Sequence, residues 1–216
     1  MKPILITAGA THNPIDVMRS ITAHASGKTG AQIALALKNT TLLGSALACE
    51  HLIRRSQESS VSPPPFAHFG STRHLQKLMH EWIEQNPAGI VIHSAAVGDY
   101  ECEQISSNKI SSKQDSLILK LIPAPKILSG LQHLSKGLKI VSFKAASPNV
   151  SDDELRAIAQ KQLEESQSAM VFANRLGSTD KDIIIVLKSG HRKYTKRSDA
   201  IQALIEQTTV WQQSLV

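Results

Sequence analysis

Short clusters along this chain carry the residue types that bind phosphates and carboxylates. The first is Thr7-Ala8-Gly9-Ala10-Thr11, which follows the apolar run Pro3-Ile4-Leu5-Ile6. Gly9 and Thr11 leave the backbone unencumbered there, so peptide N–H groups can face an anion. A Gly-x-Gly-x-x-Gly fingerprint is missing, because Gly9 is followed by Ala10 and Thr11 with no second glycine in step. Gly27-Lys28-Thr29 looks like the end of a P-loop, but the glycine that motif needs five positions earlier is Thr22. A helix start is the preferred reading, with Ser26 as its cap. Further on, Ser94-Ala95-Ala96-Val97-Gly98-Asp99 follows an apolar strand. Small residues at a strand's C-terminal end let a ligand approach the backbone, and Asp99 is placed to accept from hydroxyl or amino groups or to hold a metal-bound phosphate. Spacing alone leaves a second reading open, a turn aspartate bonding its own backbone. Lys109 sits in a polar stretch and, taken alone, reads first as a solvated lysine. Phe143 reads as a base-stacking ring or an ordinary core residue.

The elements that must position these residues alternate between strand and helix. Residues 3–7 read as a buried first strand, and a helix begins after Ser26, with Ala31, Ile33, Ala34, Leu35 and Leu37 at helical spacing. The connection between them is about 20 residues against a usual 2–6, a length that marks a functional loop. Residues 40–48 read as a second strand and 57–65, rich in serine and proline, as a surface connection. A helix over 72–86, capped by Thr72, leads to a buried strand over 89–93. Residues 102–122 read as a flap that ends in a strand over 117–121. A helix over 126–134, a strand over 138–143, a helix over 152–165 capped by Ser151, and a strand over 169–172 follow. A hairpin around Ser189-Gly190 and a helix over 198–211 close the chain. This alternation predicts one α/β domain over residues 1–216: three-layered and Rossmann-like, with a mostly parallel sheet, a flap and a C-terminal hairpin.

Composition bounds the function. With 216 residues and 41% hydrophobic content the chain can bury a core. It has no run of roughly 20 apolar residues that would cross a bilayer. Met1-Lys2-Pro3-Ile4 leads straight into strand-like sequence with no signal peptide, and two cysteines make no disulfide framework; both point to the cytoplasm. The net charge of +6 suits nucleic acid or small polyanions, but only 4% of residues are aromatic and the basic run at residues 191–197 holds a single ring, Tyr194, which argues against a single-strand stacking platform. The nine histidines are dispersed, so no structural metal site is expected.

These clusters together resemble the phosphopantothenate–cysteine ligases. The family's Thr-x-Gly-Gly-Thr, Pro-(Ile/Leu)-Asp, Val-Arg, Asn-His and Ser-(Ser/Thr)-Gly run is met by Thr7, Gly9, Thr11, Pro14-Ile15-Asp16, Arg19, His24 and Ser26-Gly27. Its Ala-Ala-Val-x-Asp is met at Ala95, Ala96, Val97 and Asp99, and its Lys-Ile-(Lys/Ser) at Lys109. Its Asn-Pro-Asp-Ile step falls on Ala124-Pro125, its Gly-Phe-(Ala/Lys) on Phe143 and its Ala-Asn-Asp on Ala173-Asn174. Ala10, Ala23, Ala124 and Arg175 depart from the pattern, replacing respectively the second glycine, two asparagines and an aspartate. The resemblance covers almost the whole chain, in order. It implies a stand-alone ligase of the bacterial type, since the flavin-binding decarboxylase domain often fused to these enzymes has no counterpart in the sequence.

The resemblance also implies roles. Arg19, Lys109 and the asparagine position now held by Ala23 would be catalytic. Gly9, Ala10, Thr11, His93, Ser94, Ala95, Asp99, Lys109, Ile122, Pro123, Ala124, Pro125, Phe143 and Lys161 would bind the nucleotide. Lys161 matches the first of two family lysines; the second position is Glu165. Arg19, His24, Ala95, Ala96 and Asn174 would meet the substrate. The implied partners are 4′-phosphopantothenate, L-cysteine, and CTP with Mg²⁺, in a homodimer paired through flap-side strands; bacterial members typically use CTP and eukaryotic ones ATP. Two other readings stand beside it: a nucleotide-binding homologue that lost the chemistry, and a dinucleotide-dependent oxidoreductase. The missing glycine fingerprint and the lack of a Tyr-x-x-x-Lys pair speak against the oxidoreductase.

Overall fold

The computed structural model describes residues 1–214; Leu215 and Val216, included in the expected domain, lie outside the described residues. In chain order the elements are β1 (Ile4–Ala8), β2 (His12–Pro14), β3 (Ser20–Thr22), α1 (Lys28–Ala36), β4 (Thr40–Gly44), α2 (Ala46–Glu58), β5 (Phe66–His68), α3 (Thr72–Gln85) and β6 (Ile90–His93). Then come β7 (Tyr100–Cys102), β8 (Leu121–Pro123), α4 (Ile127–Leu134), β9 (Lys139–Ala146), α5 (Asp152–Glu165), β10 (Met170–Arg175), β11 (Lys181–Leu187), β12 (Gly190–Lys196) and α6 (Arg197–Gln213).

The main sheet has eight strands in the order β12-β11-β10-β9-β6-β1-β4-β5. The strands from β5 to β10 are parallel, while β11 and β12 extend the sheet as an antiparallel hairpin. Every residue of β1 is buried, as a central strand covered on both faces must be. On one face Ile4, Ile6, Ile92, Val141 and Phe172 pack under α1, α2 and α6. On the other, Leu5, Val91 and Ile140 pack under α3 and α4, and Val171, Ala173 and Ile184 under α5. This is the expected three-layer α/β fold. The chain leaves β1 for β4 on one side and returns to β6 on the other. That reversal opens a crevice at the C-terminal ends of β1 and β6, where open α/β sheets take ligands.

Several local expectations are corrected. Residues 40–48 are not one strand: β4 stops at Gly44, and the Ser45 hydroxyl accepts from Ala48 N–H to start α2. Helix α2, whose buried Ala48, Leu52 and Ser56 recur every fourth residue, and the short β5 were not legible. The long connection after β1 is not structureless, since β2 and β3 form a hairpin within it. In the flap, β8 pairs with β7 over residues 121–123, and the alternating Leu117 and Ile118 lie outside any strand and are exposed. Ser71, one residue earlier than expected, caps α3. Gly27, not Ser26, caps α1, with φ 76° and no side-chain bond. A Cβ there would stand 2.3 Å from the Ala48 Cβ and 2.9 Å from the Gly9 nitrogen, so only glycine fits. The Gly27-Lys28-Thr29 run is therefore a helix opening and not a P-loop.

Candidate active site

The loops leaving β1 and β6 run side by side. Ala96 N–H donates to the Gly9 carbonyl at 2.8 Å, and Thr11 N–H to the Ala96 carbonyl at 3.1 Å. That bond engages the Thr11 N–H, so this group does not face an anion as its place in the turn predicts. The Thr11 hydroxyl is also engaged, accepting from Gly98 N–H at 2.9 Å and from the Thr72 hydroxyl at 3.0 Å. Gly9 has φ 88°, and a Cβ on it would stand 2.0 Å from Ser45 Oγ. It is needed for the close approach of α2 as well as for the turn. Ala10 is buried and bridges Ala96.

The β6 side is fixed through Thr7. Its hydroxyl accepts from Ala95 N–H at 3.2 Å and lies 2.8 Å from His93 Nδ1, while the Ser94 hydroxyl donates to the Thr7 carbonyl at 2.6 Å. Directing the Thr7 hydrogen to Nδ1 leaves the His93 proton on Nε2. Burial pushes the His93 pKa down to about 4, so the ring is neutral at pH 7. An unfolded histidine takes up its proton near pH 6.5, whereas the folded one does so only near pH 4. The His93 contribution is therefore complete above pH 6.5 and falls as the pH drops, by on the order of 3 kcal/mol at pH 4. We expect the melting temperature of His93→Gln to change less than wild type between pH 6.5 and 4; parallel curves for the two proteins would remove His93 from the acid response.

The flap docks on the β2–β3 turn. The buried Asp16 carboxylate accepts at Oδ1 from Met18 and Arg19 N–H, both at 2.8 Å. At Oδ2 it accepts from Arg19 Nε at 3.0 Å, Arg19 Nη2 at 2.6 Å and Ile110 N–H at 3.0 Å. Arg19 Nη2 donates also to the Ile110 carbonyl at 2.7 Å, and Ser106 N–H to the Ile15 carbonyl at 3.1 Å. The Arg19 guanidinium, and next the Ile110 N–H, hold the Asp16 carboxyl far below the usual carboxylate range. The structure thus brings Arg19 together with the segment that carries the exposed Lys109. Asp16 was legible only as part of a motif. That it accepts all five of these bonds was not.

A third junction joins Asp99 to the strand that enters α4. The Asp99 carbonyl accepts from Ala124 N–H at 2.9 Å, which lays Ile122, Pro123, Ala124 and Pro125 beside it. Its carboxylate meets Lys126 Nζ at 2.5 Å, on the surface. Lys126 carried no signal of its own, being the residue that replaces an acid in the resembling motif. Asn13, also missed, accepts from Thr72 N–H at 2.9 Å and donates to the Tyr100 carbonyl at 2.8 Å. Ala23 and His24 are exposed in the stretch between β3 and α1.

On the β9–β10 side, Phe143 is half-buried and stacks on Phe172, ring centroids 4.7 Å apart. Asn174 is buried at the end of β10, its Nδ2 donating to the Arg175 carbonyl at 3.2 Å. Arg175, where the resembling ligases carry aspartate, points to the α5 start instead, to the Val150 carbonyl at 2.7 Å and Asp152 Oδ1 at 2.6 Å. Lys161 does not join the others. It is exposed on α5, 3.7 Å from Glu165, toward the end of the helix that leads back to the start of β10. A groove of about 510 Å³ beside Lys136, Lys139 and Trp211 lies at the edge where β9 begins, away from the candidate residues. Among the described residues no cluster of three His, Cys, Asp or Glu side chains forms a metal cage. The exposed carboxylate among the candidate residues, Asp99, already carries the Lys126 ammonium, so a Mg²⁺ held mainly by phosphates and water would have to share or displace that lysine.

Residues 1–206 match the family described as DFP, the DNA/pantothenate metabolism flavoprotein C-terminal domain. The chain belongs to this family. It is 36% identical over 192 residues to the coenzyme A biosynthesis bifunctional protein CoaBC of Thermococcus kodakarensis, covering 86% of this chain and 45% of that protein. To the Haemophilus influenzae CoaBC it is 27% identical over 216 residues, covering 94% and 51%. The chain thus spans about half the length of these relatives. Among solved structures, the DNA/pantothenate metabolism flavoprotein of Streptococcus pneumoniae superposes with TM-score 0.81 at 25% identity, covering 98% of this chain and all of the other. A histidine-to-alanine mutant of Cab2 in complex with phosphopantothenate-cysteine superposes with TM-score 0.77 at 18% identity, covering 97% and 87%, a likeness of fold.

Proposed function

We propose that this DFP-family chain joins 4′-phosphopantothenate to L-cysteine at the expense of a nucleoside triphosphate. The observation that supports the reading is the docking of the flap on Asp16 and Arg19, which brings Arg19 beside the segment that carries Lys109, in a family whose named relatives are coenzyme A biosynthesis proteins. A carboxylate resists attack by an amine. In the proposed reaction its oxygen bonds to the α-phosphorus and pyrophosphate leaves. The cysteine nitrogen then bonds to the acyl carbon, the nucleoside monophosphate leaves, and the amine loses a proton. The protein's part is positioning and neutralisation of charge: Arg19 and Lys109 supply the cations, and the loops after β1 and β6, held together by the N–H groups of Thr11, Ala95, Ala96 and Gly98, supply a fixed wall. Bound Mg²⁺ would neutralise phosphate oxygens, with Asp99 beside it. CTP rather than ATP, a cytoplasmic site of action and a homodimer complete the proposal. For the dimer, Tyr100, Ile105, Leu117, Ile118 and Leu121 leave apolar side chains exposed on the flap.

Pyrophosphate release that depends on both 4′-phosphopantothenate and CTP or ATP tests the reading. A second reading, a homologue that binds nucleotide without chemistry, is favoured by Ala10, Ala23, Ala124 and Arg175; nucleotide-induced thermal stabilisation without pyrophosphate would select it. Lys109→Ala should keep the wild-type melting temperature and raise the KM for the triphosphate about tenfold, the loss of one hydrogen bond to a charged group. An unchanged KM removes Lys109 from the site.

A further inference from the structure

Arg197, the first residue of α6, is a half-buried cation whose side-chain hydrogen bonds go to no acid. Nη1 donates to the Thr179 carbonyl at 2.7 Å and Nη2 to the Thr29 hydroxyl at 3.2 Å. Its guanidinium carbon lies 5.1 Å from the centre of the Phe172 ring, a cation–π contact. Burial alone pushes its pKa below the usual arginine value, with no carboxylate to offset the cost. A strut between a carbonyl and a hydroxyl does not need a charge, and glutamine or methionine would avoid that desolvation. The chain keeps a cation where one is expensive.

Its contacts give the reason. Phe172 is fully buried and pairs in register with Phe143, the half-exposed ring stacked upon it. Thr29 belongs to the first turn of α1, directly after Gly27, which is wedged against Gly9 and Ala48. The guanidinium therefore connects the Phe143 ring, through Phe172, with the turn where the Gly9 loop meets α1; in the proposed nucleotide site these are the two walls. Arg197 N–H also donates to the Asp180 carbonyl at 2.9 Å, which fixes the residue from which the side chain reaches.

We infer that Arg197 is a positioning residue for the nucleotide: it sets the Phe143 ring through Phe172 and the opening turn of α1 through Thr29, so that base and phosphates meet walls at a fixed separation. This rests on the reading of the crevice as a nucleotide site. It assigns a role to a residue that touches neither the reacting carboxylate nor the amine. Loss of the guanidinium should therefore weaken nucleotide binding and leave the chemical step alone.

The test is steady-state kinetics of pyrophosphate release on the full chain, with Arg197→Met and Arg197→Lys. Methionine keeps length and apolar contact with Phe172 but loses charge and both bonds. Its nucleotide KM should rise about tenfold with kcat within about twofold, the pattern of lost uniform binding. The KM values for 4′-phosphopantothenate and cysteine should stay as in wild type. Lysine restores the cation over Phe172 without the fork, and should recover the KM to within about threefold of wild type. An unchanged nucleotide KM in Arg197→Met, or an equal rise for all three substrates, overturns the inference in favour of a structural strut. Should Arg197→Met not fold, Thr29→Val removes the acceptor alone and should raise the nucleotide KM about threefold, a weakened hydrogen bond; no change there overturns it. If wild type shows neither nucleotide-dependent pyrophosphate release nor a nucleotide-induced thermal shift, the ligase reading itself falls, before any variant is compared, and the inference with it.

Discussion

Asp16→Ala should release the flap and lower turnover about 100-fold, the scale of loss when a misplaced group no longer meets its reacting partner. Asp16 bonds to the flap directly through Ile110 N–H and holds the Arg19 guanidinium that makes a second flap bond, to the Ile110 carbonyl. Removing the carboxylate takes the acceptor from three Arg19 donors, from Met18 N–H and from Ile110 N–H. The Arg19 side chain keeps only its bond to the Ile110 carbonyl, and Lys109 loses its anchored neighbour. Hydrogen exchange should speed up at Ile110 and through residues 105–112, while β1, β6 and β9 keep wild-type protection. Wild-type protection in the flap, or turnover within about threefold of wild type, would show that the flap is held elsewhere.

The same carboxylate predicts an acid limit. Its folded pKa is depressed, so the unfolded chain binds this proton first as the pH falls. The contribution of Asp16 is complete above the usual aspartate value near pH 4 and is lost as the pH drops from there through the lower folded value. Flap docking should accordingly persist well below pH 4. His93 acts earlier, between pH 6.5 and about 4. The two groups respond in separate windows, so the acid response of the β6 side should precede that of the flap.

What the sequence disclosed depended on how local the physics was. Helix α5 was legible to the residue, because Ser151 and Glu154 form a capping box beside the chain they cap and Leu155, Ala159 and Leu163 repeat every fourth position. Strands β1, β6 and β10 were legible as apolar runs. The hairpin over β11 and β12 was announced by Ser189-Gly190 between them. Helix α2 was hidden because its buried face includes Cys49, His51 and Ser56, which an apolar count passes over.

The candidate site was legible only in parts. The small-residue loops after β1 and β6 could be placed at strand ends, yet their mutual bonds could not. Arg19 and Ile110 are 91 positions apart, and no spacing rule joins them. Lys161 shows the opposite failure. It matched a pattern along the chain, but the helix turns its side chain to Glu165 and solvent. Arg197 lay in a basic run that read as a solvated hairpin and helix start. Only packing shows that this one cation lies over a buried ring while Lys193 pairs with Asp152 and Asp182.

The other large effect is expected at Ala23. In the resembling ligases an asparagine at this position lies over the activated carboxylate. An amide can donate to the oxygen on which negative charge develops as the amine attacks, and alanine cannot. Losing one such donor typically costs ~10²–10³ in rate. Ala23 is exposed on the stretch between β3 and α1, and its carbonyl accepts from the Thr22 hydroxyl at 3.3 Å, a backbone contact that a new side chain leaves in place. Asparagine can be introduced there without burying anything. The groups proposed for binding and activation, Arg19, Lys109 and the loop after β1, do not depend on it. We therefore expect wild type to release pyrophosphate with 4′-phosphopantothenate and nucleotide, but to ligate cysteine slowly, with the acyl-nucleotidylate accumulating. Ala23→Asn should speed cysteine-dependent product formation by ~10²-fold or more while the melting temperature stays put. Pyrophosphate release in a single turnover should be the same in both proteins. Equal and fast ligation by the two would show that another group supplies the donor. Pyrophosphate release in neither would place the defect before the amine arrives, and the reading of a binding homologue without chemistry would then stand.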